Sequence, residues 1–157
     1  MKKLCALFIS FILILSSLSA FAAPATISSA DNGNSSSLIV VKKPETKNSA
    51  TLKKTYGITG TGKSKVVVSY YKHNGNAYVA LKNSNGSIFE TRIGNAGVFY
   101  KQVSLSEGHN KFAVRAEAPD GTYQVVFFDI NVLNQSMMNN ISGFSNGIQS
   151  LFNGWMN

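Results

Sequence analysis

Between Asn95 and Val132 the chain reads NAGVFYKQVSLSEGHNKFAVRAEAPDGTYQVVFFDINV, with apolar residues at two-residue spacing between Gly-containing turns. Three such runs in succession predict strand, turn, strand, turn, strand, because alternate side chains of a strand point to opposite faces. The same pattern extends upstream. Leu38 to Val41 open the first apolar run, and Pro44 to Ser49 break it. Strands are expected at Thr55–Thr61, Lys65–Lys72, Ala77–Lys82, Ser87–Ile93, Phe99–Leu105, Lys111–Ala118 and Thr122–Leu133. Asn74-Gly75, Asn85-Gly86, Glu107-Gly108 and Asp120-Gly121 supply turn residues that tolerate positive φ. Seven to eight short strands with a turn about every ten residues predict an all-β sandwich.

Parity divides these strands into faces. Lys111, Arg115 and Glu117 share one face, so Phe112, Val114 and Ala116 are expected in the core. Val66, Val68 and Tyr70 point inward by the same argument, as do Val126, Phe128, Ile130 and Val132. The last strand is also apolar on its other face, at Tyr123, Val125 and Phe127, and Val67 and Tyr71 extend that outer patch. An apolar outer face needs a cover: the C-terminal segment packing back on the sandwich is one candidate and a partner is the other, which makes Tyr123, Val125 and Phe127 candidate partner contacts.

The ends differ in kind. Residues 1–22 read as a secretory leader: Lys2 and Lys3, an apolar core from Leu4 to Leu15, and Ala20-Phe21-Ala22 as a small-x-small cleavage site before Ala23. The expected protein is exported, to the medium or the cell envelope. Cleavage leaves about 135 residues, enough for one domain. It removes Cys5, the only cysteine, and with it any disulfide or thiol chemistry. It lowers the formal charge by the two lysines, from +8 to +6. Residues 23–37, rich in Ser and Asn, are expected as a flexible spacer, and residues 38–134 as the sandwich.

Residues 135–157 place Met137, Ile141, Phe144, Ile148, Leu151 and Trp155 at spacings of four, three, four, three and four. That period predicts an amphipathic helix. No ionisable side chain follows Asp129, and Gly143, Gly147 and Gly154 weaken the helix by about 1 kcal/mol each, so it needs a docking surface. Phe144, Ile148, Leu151, Phe152 and Trp155 therefore join the candidate partner-binding set.

Gly57 to Ser64 (GITGTGKS) matches the phosphate-binding pattern G-x-x-x-x-G-K-[ST]. That loop works only where a strand enters and a helix leaves. Here Lys65-Val-Val-Val-Ser-Tyr-Tyr follows, a strand former, so the match is read as a Gly-rich turn between two antiparallel strands. His73 and His109 sit beside turns without a second ligand at metal spacing, and the carboxylates are scattered. No catalytic, metal or cofactor site is expected. Aromatics beside lysines (Tyr70, Tyr71, Lys72; Phe99, Tyr100, Lys101) could stack on sugars or bases, but in a sandwich they are read as alternating core and surface positions.

Gly97 and Phe99, Val103 and Leu105, Glu107-Gly108 and Asn110, then Phe112, Val114, Ala116 and Gly121, follow the order Gly-x-Phe, Val-x-Leu, Glu-Gly-x-Asn, alternating apolar, Gly. Upstream, Tyr56-Gly-Ile-Thr-Gly-Thr-Gly62 matches an x-I-x-G-x-x strand and turn. In these residues the chain resembles the bacterial immunoglobulin-like modules of exported and cell-surface proteins, over Leu38 to Leu133. Lys101 shares parity with Phe99 and Val103, which implies a bulge, and Asn76 to Ile93 is longer than the family pattern. The resemblance implies an immunoglobulin-like sandwich that works as a spacer, adhesin, or carbohydrate- or partner-binding unit.

The expectation is thus a non-catalytic interaction module contacting a protein partner or itself. The alternatives are a cell-wall or carbohydrate-binding module, and a secreted enzyme or inhibitor. Further contacts open to a basic, exported chain are anionic envelope polymer and, for the tail, a membrane surface; no specific nucleic-acid contact is expected.

Overall fold

The computed structural model of the protein describes residues 23–134. Ten strands occur among them: β1 (Thr26–Ile27), β2 (Ile39–Lys43), β3 (Asn48–Thr51), β4 (Thr55–Gly62), β5 (Val67–His73), β6 (Tyr78–Ala80), β7 (Glu90–Arg92), β8 (Val98–Ser104), β9 (Gly108–Glu117) and β10 (Tyr123–Val132). They form two sheets. The larger runs β1-β6-β5-β9-β10-β3, with β7 pairing the same edge of β5 as β6; the smaller runs β2-β4-β8. Every pairing is antiparallel except β3 with β10, where Asn48 to Thr51 lie parallel to Asp129 to Val132. This is an all-β, two-sheet, sandwich-like fold.

Parity holds where the alternation is strong. Val66, Val68, Tyr70, Phe112, Val114, Ala116, Phe128, Ile130 and Val132 are buried together with Leu38, Ile39, Ile58, Ile93, Phe99 and Val103 from the smaller sheet and its connections. Each such aliphatic or aromatic side chain taken from water contributes about 1.5–3 kcal/mol. Asn110 closes the turn into β9 from inside. Its Nδ2 donates to the carbonyls of Ser106 (2.7 Å), Gly108 (2.9 Å) and Ile130 (3.3 Å), and its Oδ1 accepts from Ser106 N–H at 2.9 Å. That is the physical content of the Glu-Gly-x-Asn pattern.

Four expectations are corrected. Residues 23–37 are not simply a spacer: β1 adds to the edge of β6, Ile27 is buried, and Gly33 bridges to Gln124. The strand number rises from seven or eight to ten because β1 has only two residues and β3 is short and mostly polar, both held by backbone pairing that periodicity does not reveal. The strand expected at Thr55–Thr61 is β4 and extends to Gly62, so only Lys63 and Ser64 of the phosphate-loop look-alike fall in the connection, and β4 and β5 lie in different sheets rather than pairing with each other. Finally, β8 carries no bulge: its register with β4 is continuous, and Lys101 occupies its inward row by placing Nζ 3.2 Å from the Phe89 ring centroid. Burial at that edge lowers the Lys101 pKa. The irregularity falls instead in β2, between Val41 and Lys43. The expected leader (1–22) and amphipathic helix (135–157) lie outside the described residues.

Candidate functional site

The outer face of the larger sheet carries Tyr123, Val125 and Phe127, as parity predicts, yet it is not free. Val125 is 8% exposed, in a second apolar cluster with Ile27, Tyr71, Tyr78, Ala80 and Ala113. Tyr78 packs on Phe127 with ring centroids 4.9 Å apart. The segment from Ala23 to Ser35 is the cover. It starts at the β6 edge, where Tyr71 Oη donates to the Pro24 carbonyl at 3.0 Å. It ends over β10, where Asn34 and Ser35 N–H donate to the Tyr123 carbonyl at 2.9 and 3.0 Å, and Tyr123 N–H donates to Asn34 Oδ1 at 2.7 Å. Gly33 is needed there, since a Cβ would lie 2.4 Å from the Tyr123 carbonyl oxygen and its φ is +76°.

Charged groups lie under this strap. Arg115 pairs with Glu117, both largely buried, and its guanidinium sits 4.5 Å from the Tyr123 ring centroid. Burial, with the carboxylates of Glu90, Glu117 and Asp31 opposed by Arg115, pushes the Tyr71 phenol up to about 12. A hydrogen bond to Asp31 raises Tyr123 as well. Of the residues that the sequence offers as partner contacts, Tyr123 thus bonds the chain's own N-terminal segment, Val125 is buried in a cluster with that segment's Ile27, and Phe127 packs on Tyr78. Phe144, Ile148, Leu151, Phe152 and Trp155 lie outside the described residues.

The open apolar surface is on the other sheet. Val40, Val98 and Tyr100 are 55%, 57% and 56% exposed, three of the four exposed large apolar side chains among the described residues. Register sets Val40, Thr61 and Val98 in one row across β2, β4 and β8, and Thr59 beside Tyr100 in the next. Tyr100 lies over Gly57, where a Cβ would come within 2.8 Å of its ring. The glycine lets the ring lie down on the sheet, and Tyr100 Oη donates to Gln102 Oε1 at 3.4 Å. Beside Tyr100 runs a groove of about 490 Å³ lined by Lys43, Thr51, Lys53, Tyr56 and Gln102, among others. Lys43 Nζ stands 5.3 Å from the Tyr56 ring centroid.

Of the aromatics read beside lysines, Tyr70, Tyr71 and Phe99 are buried and Tyr100 is the surface residue. The alternation of Val98 and Tyr100 against Phe99 was the signal for this face. Applied to β8 as it was to β10, parity would have found it.

The phosphate-loop look-alike resolves into packing. Gly60 faces Phe99, whose ring would be 2.3 Å from a Cβ, and Gly62 faces Ile39 and Ile93 at 2.7 Å. Lys63 Nζ donates to Ser37 Oγ and Ser64 Oγ to Asn95 Oδ1, both at 3.4 Å, so their partners are separate. His109 is the second residue of β9, not a turn residue, and its Nδ1 lies 2.8 Å from Asp129 Oδ2. His73 Nδ1 accepts from Gly75 N–H at 3.1 Å. Among the described residues no group of three or more His, Cys, Asp or Glu is placed to hold a metal ion.

In comparisons with known proteins, the chain matches no family model and no curated protein.

Proposed function

We propose that the chain is an exported, non-catalytic immunoglobulin-like module that contacts a protein partner, a second copy of itself included, through the outer face of β2-β4-β8 and its C-terminal segment. The observation that carries this reading is the gathering of Val40, Val98 and Tyr100 on one open sheet face while the opposite face is closed by the chain itself. Exposed apolar groups collected on one face are a feature of interaction sites. The immunoglobulin-like assignment rests on the two-sheet fold and the Gly-x-Phe to Glu-Gly-x-Asn order of residues.

The C-terminal stripe fits such a face. β10 runs out beside the groove: Leu133 N–H donates to the Thr51 carbonyl at 2.9 Å, and Thr51 lines it. The uncharged stripe from Met137 to Trp155 follows directly. Sedimentation equilibrium of residues 23–157 tests the reading. Self-association is expected, weakened about tenfold by Val98→Asp with Tyr100→Ser, a loss typical of a central aromatic contact, and abolished in residues 23–134. A monomer at every concentration, or association indifferent to both changes, contradicts it.

The groove favours a second reading, an anionic polysaccharide. Two tyrosine rings, the Gln102 amide, threonine hydroxyls and the cations of Lys43 and Lys53 line it, with no carboxylate among them. Affinity electrophoresis in gels of acidic and of neutral polysaccharide tests this. Retardation by the acidic polymer alone, lost in Tyr100→Ala and in Lys43→Ala with Lys53→Ala, is the expected outcome; equal mobility in both gels excludes it.

A further inference from the structure

We infer that Glu90 is a receptor site for the amino terminus created when the leader is removed, and that processing thereby tightens the hold of the N-terminal strap on the outer face of the larger sheet. The inference rests on reading residues 1–22 as a cleaved leader. Ala23 N donates to Glu90 Oε1 at 3.3 Å. Immediately after it the strap is held by Tyr71 Oη on the Pro24 carbonyl and by Ala80 N–H on the Ala25 carbonyl at 2.9 Å, and Ile27 is buried beneath it.

The charge around this end is unbalanced. The Tyr71 hydroxyl is under the influence of three carboxylates, Glu90, Glu117 and Asp31, against one cation, Arg115. Arg115 is committed to Glu117, and among the described residues no lysine or arginine forms an ion pair with Glu90. In the uncut chain Ala23 offers Glu90 a neutral amide N–H. Hydrolysis of the Ala22–Ala23 bond by a leader-removing protease adds water across it. The hydroxyl goes to the Ala22 carbonyl carbon, and the Ala23 nitrogen leaves as an amine that takes up a proton. The same atom then carries a positive charge, and the contact becomes a charge-assisted hydrogen bond. Glu90 is solvent-exposed, so the gain is modest.

The test uses residues 23–157 released from a fusion by a protease that leaves Ala23 first, against the same chain acetylated at Ala23 by a co-expressed N-terminal acetyltransferase. Hydrogen exchange of Ala80 N–H reports strap docking locally. The free amine is expected to slow that exchange about threefold relative to the acetylated form, as an exposed ion pair would. The difference should vanish in Glu90→Gln. Equal exchange in the two forms, or a difference that survives Glu90→Gln, overturns the inference. Sequencing the first residues of protein recovered from an exporting host tests the leader reading separately, because the exchange comparison starts at Ala23 in either case.

Discussion

Gln124 and Ile39 exchange hydrogen bonds across the two sheets: Ile39 N–H donates to Gln124 Oε1 at 3.0 Å, and Gln124 Nε2 donates to the Ile39 carbonyl at 3.2 Å. The same Oε1 accepts Leu38 N–H at 2.9 Å. One amide from β10 thus fixes where β2 begins. Gln124→Leu removes the acceptor from two backbone donors that have little access to water. A loss of about 2 kcal/mol is expected in urea unfolding; a loss below about 0.5 kcal/mol would mean that β2 is held by strand pairing alone.

Asn110 makes four hydrogen bonds while almost fully buried, using both amide hydrogens and the carbonyl oxygen. Asn110→Ala leaves Ser106 N–H and three carbonyls short of a partner, and should cost about 3 kcal/mol. Asn110→Asp keeps the acceptor and loses the donors, so it should be nearly as damaging at neutral pH and milder in acid. Thermal melts at both pH values check the order.

Tyr71 makes stability fall in alkali. Burial raises its folded pKa from 10.0 to about 12, so folding favours the neutral phenol. Below about pH 10 both states keep the proton and the contribution is complete; between about pH 10 and 12 only the unfolded chain releases it, and stability drops. Tyr71→Phe loses the bond to the Pro24 carbonyl, about 1 kcal/mol. It should therefore start less stable at pH 8 and decline less from pH 10 to 12. Parallel pH curves for the two proteins would refute the assignment to Tyr71.

Gly60 and Gly94 should differ sharply in their tolerance of alanine. A Cβ on Gly60 meets the Phe99 ring at 2.3 Å and the Val40 carbonyl at 2.5 Å, whereas Gly94 has nothing within 4 Å. Gly60→Ala should destabilise by about 3 kcal/mol, through overpacking between β4 and its neighbours. Gly94→Ala should stay within about 0.5 kcal/mol. Calorimetry of the pair decides it.

Legibility followed side-chain period. Phe112, Val114 and Ala116 could be placed from sequence because alternating apolar residues leave only one face for the core. The strap could not, because Ala23 to Ser35 is held by backbone hydrogen bonds, one buried Ile27 and the Tyr71 hydroxyl, and its composition resembles a linker. The strand at Thr55–Thr61 was legible, but the role of its glycines was not: they make room for Phe99 and Tyr100 from the neighbouring strand β8. For the site, the apolar outer row of β10 was legible and its occupant was not. Covering Val125 depends on residues about ninety positions away in the chain, which no local pattern encodes. The open face of β8 is legible in the alternation itself: Val98 and Tyr100 face out and Phe99 faces in, because neighbouring residues of a strand point opposite ways.

Trp155 is the only tryptophan in the chain, so its emission reports directly on whether the C-terminal stripe meets the face around Val98 and Tyr100. The measurement is the Trp155 emission maximum of residues 23–157 across a dilution series, in the native sequence and in Val98→Asp with Tyr100→Ser. The account predicts blue-shifted emission at high concentration that moves to the red on dilution, and red emission throughout in the variant. Identical spectra for the two proteins at every concentration would contradict it.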